Sequence, residues 1–365
     1  MRSIVVVYGL PEKYATSIRL KKLLGDTKDK NIRTRQIIPI EWEGSIVKKV
    51  SIILRNIIAV LDPRFEVDIL YVSAPLIASS IPGIIAKLLK KTLLVVDWDD
   101  AFVDFRKKKP RPWEISFWEY LAIKFADKVV VVSPELKKIA LHLGKNRDDV
   151  IYVPNGIDME ISKQKYGEER EKMRKKLGIR DDEIVVGFVG RISRRKNTFV
   201  GKELVDCAGQ LKTSNMLEYF RFLIIGFGEG LETLKRYAEE KGVSNKFIFT
   251  GYVEHSEIPF YISAMDICVV PVGKKFTDTV RSSFKLKEFI AMGKPVITVH
   301  YGSFSYETRN GKFAVLIDDN SELPNVLLTL DAKILRKKAV SGRKFIRTYY
   351  SWEYLKDKLV EFLNS

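Results

Sequence analysis

Three stretches of this sequence place charged side chains and glycines where an anionic ligand could be held. In Gly187-Phe188-Val189-Gly190-Arg191-Ile192-Ser193-Arg194-Arg195-Lys196-Asn197, an apolar run ends in Gly190, whose missing side chain would let backbone amides approach a ligand. Four cations follow within six residues, which is the chemistry needed to hold a diphosphate and neutralise it as it departs. Arg191 and Lys196 are the preferred pair, a rigid fork and a mobile point charge; a solvated basic turn is the competing reading. Ile225-Gly226-Phe227-Gly228-Glu229-Gly230 is a second glycine-rich run, entering a helix near Leu231. Glycines there could admit a nucleotide at the helix start through Gly226 and Gly228 or serve turn geometry alone, and both readings are open. In the third stretch, Phe284 to Val296, Lys285 and Glu288 lie three apart and project from one face near a helix start, while Phe289 and Met292 pack inward. A carboxylate there can accept two ribose hydroxyl hydrogen bonds, and the cation with the helix amides can meet phosphate oxygens. A plain salt-bridged helix start is the alternative.

The elements that must position these groups read as strand-helix units. Apolar runs at Ile4–Tyr8, Asp68–Val72, Thr92–Val96, Lys128–Val132 and Val150–Val153 lack period-two alternation, as strands covered on both faces do. After a charged stretch, Lys163 to Lys176, read as a linker, the pattern restarts at Ile184–Val189, Phe222–Ile225, Lys246–Phe249, Ile267–Val270, Pro295–Val299 and Ala314–Ile317. Helices are expected over Glu229–Lys241, Phe284–Met292 and Trp352–Leu363. Two doubly wound α/β domains follow, an N-terminal one over 1–175 and a C-terminal one over 176–345, with the amphipathic final helix packed on one of them. Ligands of such sheets sit beyond the carboxyl ends of the strands, and two Rossmann-like domains facing across a cleft could close on one from both sides.

Taken in order, these segments resemble the retaining glycosyltransferases of the GT-B fold known as glycosyl transferases group 1, or family 4. Val153-Pro154-Asn155-Gly156-Ile157-Asp158 is similar to the signature before the interdomain linker, and Val189-Gly190-Arg191 with Lys196-Asn197 to the phosphate-contacting loop. Phe249 to Val253, Asp266 to Pro271, Phe284 to Val296 and Tyr350-Ser351-Trp352-Glu353 follow in the family's order, and the last of these implies that the C-terminal helix, 346–365, crosses back to the first domain. The resemblance implies a nucleoside-diphosphate sugar donor, UDP- or GDP-linked, a hexose transferred with retention to a hydroxyl of a glycan or lipid-linked acceptor, and no metal or other cofactor. It implies that Glu288 holds the donor ribose and that Arg191 and Lys196 stabilise the leaving diphosphate. Departures are clear: the first of the family's paired glutamates is replaced by Val280, leaving Thr277, Asp278 and Thr279 as candidates to contact the donor, and Thr279 is preferred. In place of a histidine after the fourth strand stands Asp97-Trp98-Asp99-Asp100, so that Asp100 could meet the transferred sugar or the acceptor, with Asp97 structural or sharing that role. The first glycine-rich loop is reduced to Gly9-Leu10-Pro11.

The 365 residues suit two domains, and a formal charge of +17 draws the protein toward something anionic. The charge alone does not choose between a phosphorylated ligand, a nucleic acid and an acidic membrane, but aromatic RNA platforms and zinc-finger spacings are lacking, so no specific nucleic-acid partner is expected. Cys207 and Cys268 read as unrelated buried thiols, and His142, His255 and His300 have no metal-ligand spacing, so no metal is expected. Without an apolar span of membrane length or a leader at the N-terminus, a cytoplasmic protein is expected. Ile46–Leu61, Ile81–Leu89 and the basic loop Arg106–Arg111 could hold it peripherally against the anionic inner face of the cell membrane. Readings of a different class remain: an epimerase or phosphorylase on the same fold, a protein that only binds nucleotide sugars, and an inactive scaffold.

Overall fold

The computed structural model describes residues 2–8, 15–25, 32–37, 46–64, 66–101, 103–112, 114–160, 167–195 and 198–365. Two compact units emerge. The first comprises Met1–Gly156, Lys274–Ser282 and Trp352–Ser365, and the second Ile157–Gly273 and Ser283–Ser351.

In the first unit, strands β1 (Arg2–Tyr8), β2 (Ile32–Ile37), β3 (Ile69–Ser73), β4 (Leu93–Trp98), β5 (Lys128–Val131) and β6 (Val150–Tyr152) form one sheet in the order β2-β1-β3-β4-β5-β6. Every pairing is parallel, with Val5 opposite Leu70 and Leu70 opposite Leu94. The Val- and Ile-rich strands are buried along their length because helices cover the sheet; each such side chain taken out of water contributes roughly 1.5–3 kcal/mol. The edge strand β2, Ile32-Arg33-Thr34-Arg35-Gln36-Ile37, pairs only with β1 and escapes the apolar-run reading because charge interrupts it. The helix Trp352–Asn364 belongs here: Leu355, Leu359, Phe362 and Leu363 are buried, and Lys358 Nζ donates to Tyr152 O at 2.8 Å.

The second unit is built on β7 (Ile184–Val189), β10 (Phe220–Ile225), β11 (Phe247–Gly251), β12 (Ile267–Val269), β13 (Val296–Val299) and β14 (Val315–Ile317), in the order β11-β10-β7-β12-β13-β14 and parallel throughout. A short antiparallel pair, β8 (Arg194–Arg195) and β9 (Thr198–Phe199), lies outside this sheet. Ile157 N–H donates to Tyr350 O at 2.8 Å, so the chain enters and leaves the unit side by side. Cys207 and Cys268 are buried and unlinked, and burial pushes both thiols up to about 12.

The division differs from the expected boundaries at three places. The change of unit falls after Gly156 and not after 175, because the charged stretch read as a linker contains a docked helix, Gly167–Lys176. Its Arg174 is 5% exposed, donating to Asp266 Oδ2 at 3.1 Å and to the carbonyls of Arg180 and Glu183 at 2.7 and 2.8 Å. Residues 346–351 stay with the second unit, so the crossing element is the helix from Trp352 onward. Lys274–Ser282, expected in the C-terminal domain, belongs to the first unit, because Val280 is 1% exposed within that unit's apolar core. Among the described residues no helix is long and apolar enough to cross a membrane.

Candidate functional site

Numbered within the second unit, its strands run 3-2-1-4-5-6, so the order reverses between β7 and β12, and the crevice beyond their carboxyl ends is where ligands of such sheets bind. Gly190 ends β7. A Cβ built on it would lie 2.8 Å from Phe188 Cζ and 3.4 Å from Lys285 Cε, so glycine here lets the strand end lie against the Lys285 stem. Lys285 and Glu288 stand on the helix Phe284–Ala291, whose N-terminus is capped by the Ser283 hydroxyl accepting from Leu286 N–H at 3.2 Å. Leu286, Phe289 and Ile290 bury the other face and fix the helix on the sheet.

Both charged side chains are half-buried. Burial holds the Lys285 ammonium below its usual range, with Glu288 opposing. Burial likewise raises the Glu288 carboxyl, against the pull of His255, Lys285 and Lys287 and with a further push from Asp158. Glu288 opens into a small pocket it shares with His255, Ile258, Pro259 and Ile262. Neighbouring Lys287 is fully buried, donating to Glu307 Oε1 at 2.6 Å and to Ser283 O at 3.0 Å, and it lies 5.5 Å from the Tyr350 ring centre.

Arg191 is exposed and pairs with Glu229 Oε2 at 3.3 Å; Lys196 and Asn197 lie outside the described residues, as does Gly9-Leu10-Pro11. Gly226 and Gly228 have a steric cause: a Cβ on Gly226 would lie 1.8 Å from Gly190 O, and one on Gly228 2.5 Å from Ile192 O. The two loops run against each other through backbone hydrogen bonds, Gly190 N–H to Ile225 O, Ile192 N–H to Phe227 O and Gly230 N–H to Ile192 O, each 2.9 Å. The amides of Gly190 and Gly230 are thereby committed to protein carbonyls. Thr279 donates its hydroxyl to Phe276 O at 2.9 Å within a segment of the first unit.

In the first unit the carboxyl end of β4 carries Asp97-Trp98-Asp99-Asp100. Asp97 is buried against Arg19, whose Nε and Nη2 donate to it at 3.1–3.3 Å. The same guanidinium reaches Pro154 O at 2.9 Å and Val153 O at 2.7 Å, which makes Asp97 part of a structural knot. Asp99 accepts from the Thr16 hydroxyl. Burial, aided by Asp97 and Asp100 and opposed by Thr16 and Arg19, raises its carboxyl to about 7. Asp100 is half-exposed and ion-paired with Arg281 Nε at 3.1 Å; burial raises its carboxyl and Arg281 opposes this. Asn155 ties the segment in, its N–H donating to Ser282 Oγ at 3.0 Å and its Nδ2 to Ser282 O at 2.9 Å.

Arg19, Lys287 and His255 were not anticipated from sequence. On a helical wheel Arg19 falls with Thr16 and Leu23, and Lys287 with Phe284, Ile290 and Ala291, so each stands on an apolar face, a signal that was available. His255 had none. Among the described residues no cluster of His, Cys, Asp or Glu could hold a metal ion.

Two family models match the chain in succession, Glycosyltransferase Family 4 over residues 25–161 and Glycosyl transferases group 1 over residues 169–326. An uncharacterized glycosyltransferase of Methanocaldococcus jannaschii is 26% identical over 309 residues, 80% of this chain and 73% of that protein. Alpha-monoglucosyldiacylglycerol synthase of Acholeplasma laidlawii is 26% identical over 186 residues, half of this chain but only 44% of that enzyme. Among solved structures, Anabaena HepE in complex with UDP and glucose covers both chains completely with a TM-score of 0.76 at 16% identity, a likeness of fold. The chain is a glycosyltransferase of the GT-B fold, related to glycosyl transferases group 1 and glycosyltransferase family 4.

Proposed function

We propose that the chain is a retaining hexosyltransferase whose second unit binds a UDP- or GDP-linked sugar and whose acceptor is a hydroxyl of a glycan or a lipid-linked glycan. One observation carries the donor half of this reading. Glu288 and Lys285 are half-buried beside the end of β7, and among the described residues neither side chain makes a hydrogen bond to the protein. Charged groups that lose water without gaining protein partners are costly unless a ligand supplies the partners. Ribose hydroxyls would donate to Glu288, and Lys285 would meet phosphate oxygens. The names of similar proteins support the choice of ligand, since one structure holds UDP and glucose and one relative is an alpha-monoglucosyldiacylglycerol synthase.

In the reaction, the bond from the anomeric carbon to the diphosphate oxygen breaks and the acceptor oxygen bonds to the same face of that carbon. The acceptor's proton passes to an oxygen of the departing phosphate. Arg191 and Lys196 are assigned to the charge that grows on the leaving group, with no metal called for; Arg191 would exchange its exposed Glu229 contact for the diphosphate. Asp100 is assigned to the acceptor side, its Arg281 pair being accessible and exchangeable. Calorimetric titration with UDP, GDP and ADP in EDTA tests the donor half: saturable binding of UDP or GDP is expected, and none with any of the three contradicts it. Proton NMR of the first product then reads the anomeric configuration, and inversion would refute retention.

A further inference from the structure

The helix Ile46–Leu61 packs on the helix Ile77–Lys90 and is apolar on two sides, the second of which faces solvent. Its inward face is Ile52, Asn56 and Val60, at 7%, 0% and 1% exposure, and Asn56 is spent on a hydrogen bond to Ala78 O at 3.0 Å. On the opposite side Val47, Val50, Leu54 and Ile58 are 78%, 47%, 54% and 71% exposed. At 3.6 residues per turn these four fall within about 80° of arc, so they form one continuous apolar stripe facing solvent. The helix contains no acidic residue, and Lys48 and Arg55 flank the stripe on one side.

The neighbouring helix, Ile77–Lys90, packs on the first, and Lys90 Nζ donates to Asp62 O at 2.9 Å, which brings their C-terminal ends together. That end exposes Leu88 and Leu89, at 62% and 68%, beside Lys90 and Lys91. This second helix also lacks acids. The basic loop Arg106–Arg111 is a weaker attractant than its sequence suggests, since Arg106 pairs with Asp104 at 2.9 Å and Glu135 at 3.6 Å, and Lys108 with Glu114 at 2.7 Å.

We propose that the stripe Val47/Val50/Leu54/Ile58, with Leu88 and Leu89 at its end, docks on an anionic lipid bilayer, the apolar side chains entering the headgroup boundary and the flanking cations meeting lipid phosphates. Charge complementarity selects this occupant. A ladder of large apolar side chains bordered by Lys and Arg, on helices without an acid, matches an interface that is apolar within and negative at its surface. The proposal does not depend on the nucleotide reading of the second unit.

The test is flotation of the full chain with phosphatidylcholine vesicles with and without phosphatidylglycerol, comparing the wild type with Leu54→Glu/Ile58→Glu. Val340→Glu is the control, a residue 71% exposed on a helix of the second unit. The wild type and the control float with the anionic vesicles, and the double variant partitions at least about tenfold less. All three keep the same thermal midpoint, a check on folding that holds whether or not UDP binds. Equal flotation of the double variant, no flotation of the wild type, or complete release of the wild type by modest salt overturns the proposal. So does a concentration-dependent dimer, without lipid, that the double variant abolishes, since the stripe would then serve a second copy of the chain.

Discussion

The carboxylates at the end of β4 in the first unit and the charged pair on the helix Phe284–Ala291 in the second each stand near the carboxyl end of a strand of their sheet, yet their surroundings differ. Asp97 is met by Arg19, Asp99 by Thr16 and Asp100 by Arg281. Lys285 and Glu288 are also withdrawn from water, but among the described residues no protein hydrogen bond compensates them. A charge satisfied by the protein stabilises the fold, whereas one desolvated and left unsatisfied is held ready for something that arrives later. By this criterion Asp97 is scaffold, Glu288 is the proposed site, and Asp100 lies between, its ion pair half-exposed.

The largest effect expected of this contrast is at Asp97. Asp97→Ala leaves the Arg19 guanidinium buried without its carboxylate and should cost about 3–5 kcal/mol, read by chemical denaturation, while UDP affinity stays near the wild-type value. A loss of nucleotide binding at unchanged stability would reverse the assignment. Asp99 gives the next effect and fixes a pH window. Its folded carboxyl, raised to about 7, binds a proton that the unfolded chain releases near pH 4, so its contribution is complete at low pH and is lost as pH rises from about 4 to 7. Asp99→Asn should flatten that fall, which amounts to at most roughly 4 kcal/mol; an unchanged stability profile would show that the group titrates normally. Third, Glu288→Ala should weaken nucleoside-diphosphate binding by about 1.5–3 kcal/mol and leave the denaturation midpoint where it was or higher, the opposite pattern to Asp97→Ala. The smallest effect is at Asp100, where Asp100→Asn should change stability by no more than about 1 kcal/mol, since its ion pair is half-exposed.

Both sheets were legible because buried parallel strands are nearly uninterrupted runs of Val, Ile, Leu and Phe. β2 was not, because as an edge strand it tolerates Arg33 and Arg35. The helix Gly167–Lys176 was hidden by its charge: a composition that resembles a linker conceals Arg174, whose head group is consumed by Asp266 and backbone carbonyls. The helix that carries Lys285 and Glu288 was legible from spacing and from the family resemblance. Long-range partners were not, since no local pattern announces that Arg19 will span to Asp97 and Pro154, or that Val280, standing where the family carries a glutamate, is a core residue of the first unit. The glycines of the second loop show the converse. Their spacing suggests a nucleotide, yet the backbone of Gly190 and Ile192 lies too close to Gly226 and Gly228 to admit a side chain.

The central claim, that Glu288 is kept for the sugar hydroxyls of a nucleotide, is tested most directly by a thermodynamic cycle. Affinities of UDP and of its 2′,3′-dideoxy analogue are measured by calorimetry on the wild type and on Glu288→Ala. The wild type should prefer UDP by about 1.5–3 kcal/mol, and the variant should bind both alike. An undiminished preference in the variant, or none in the wild type, would mean that the carboxylate does not touch the ribose.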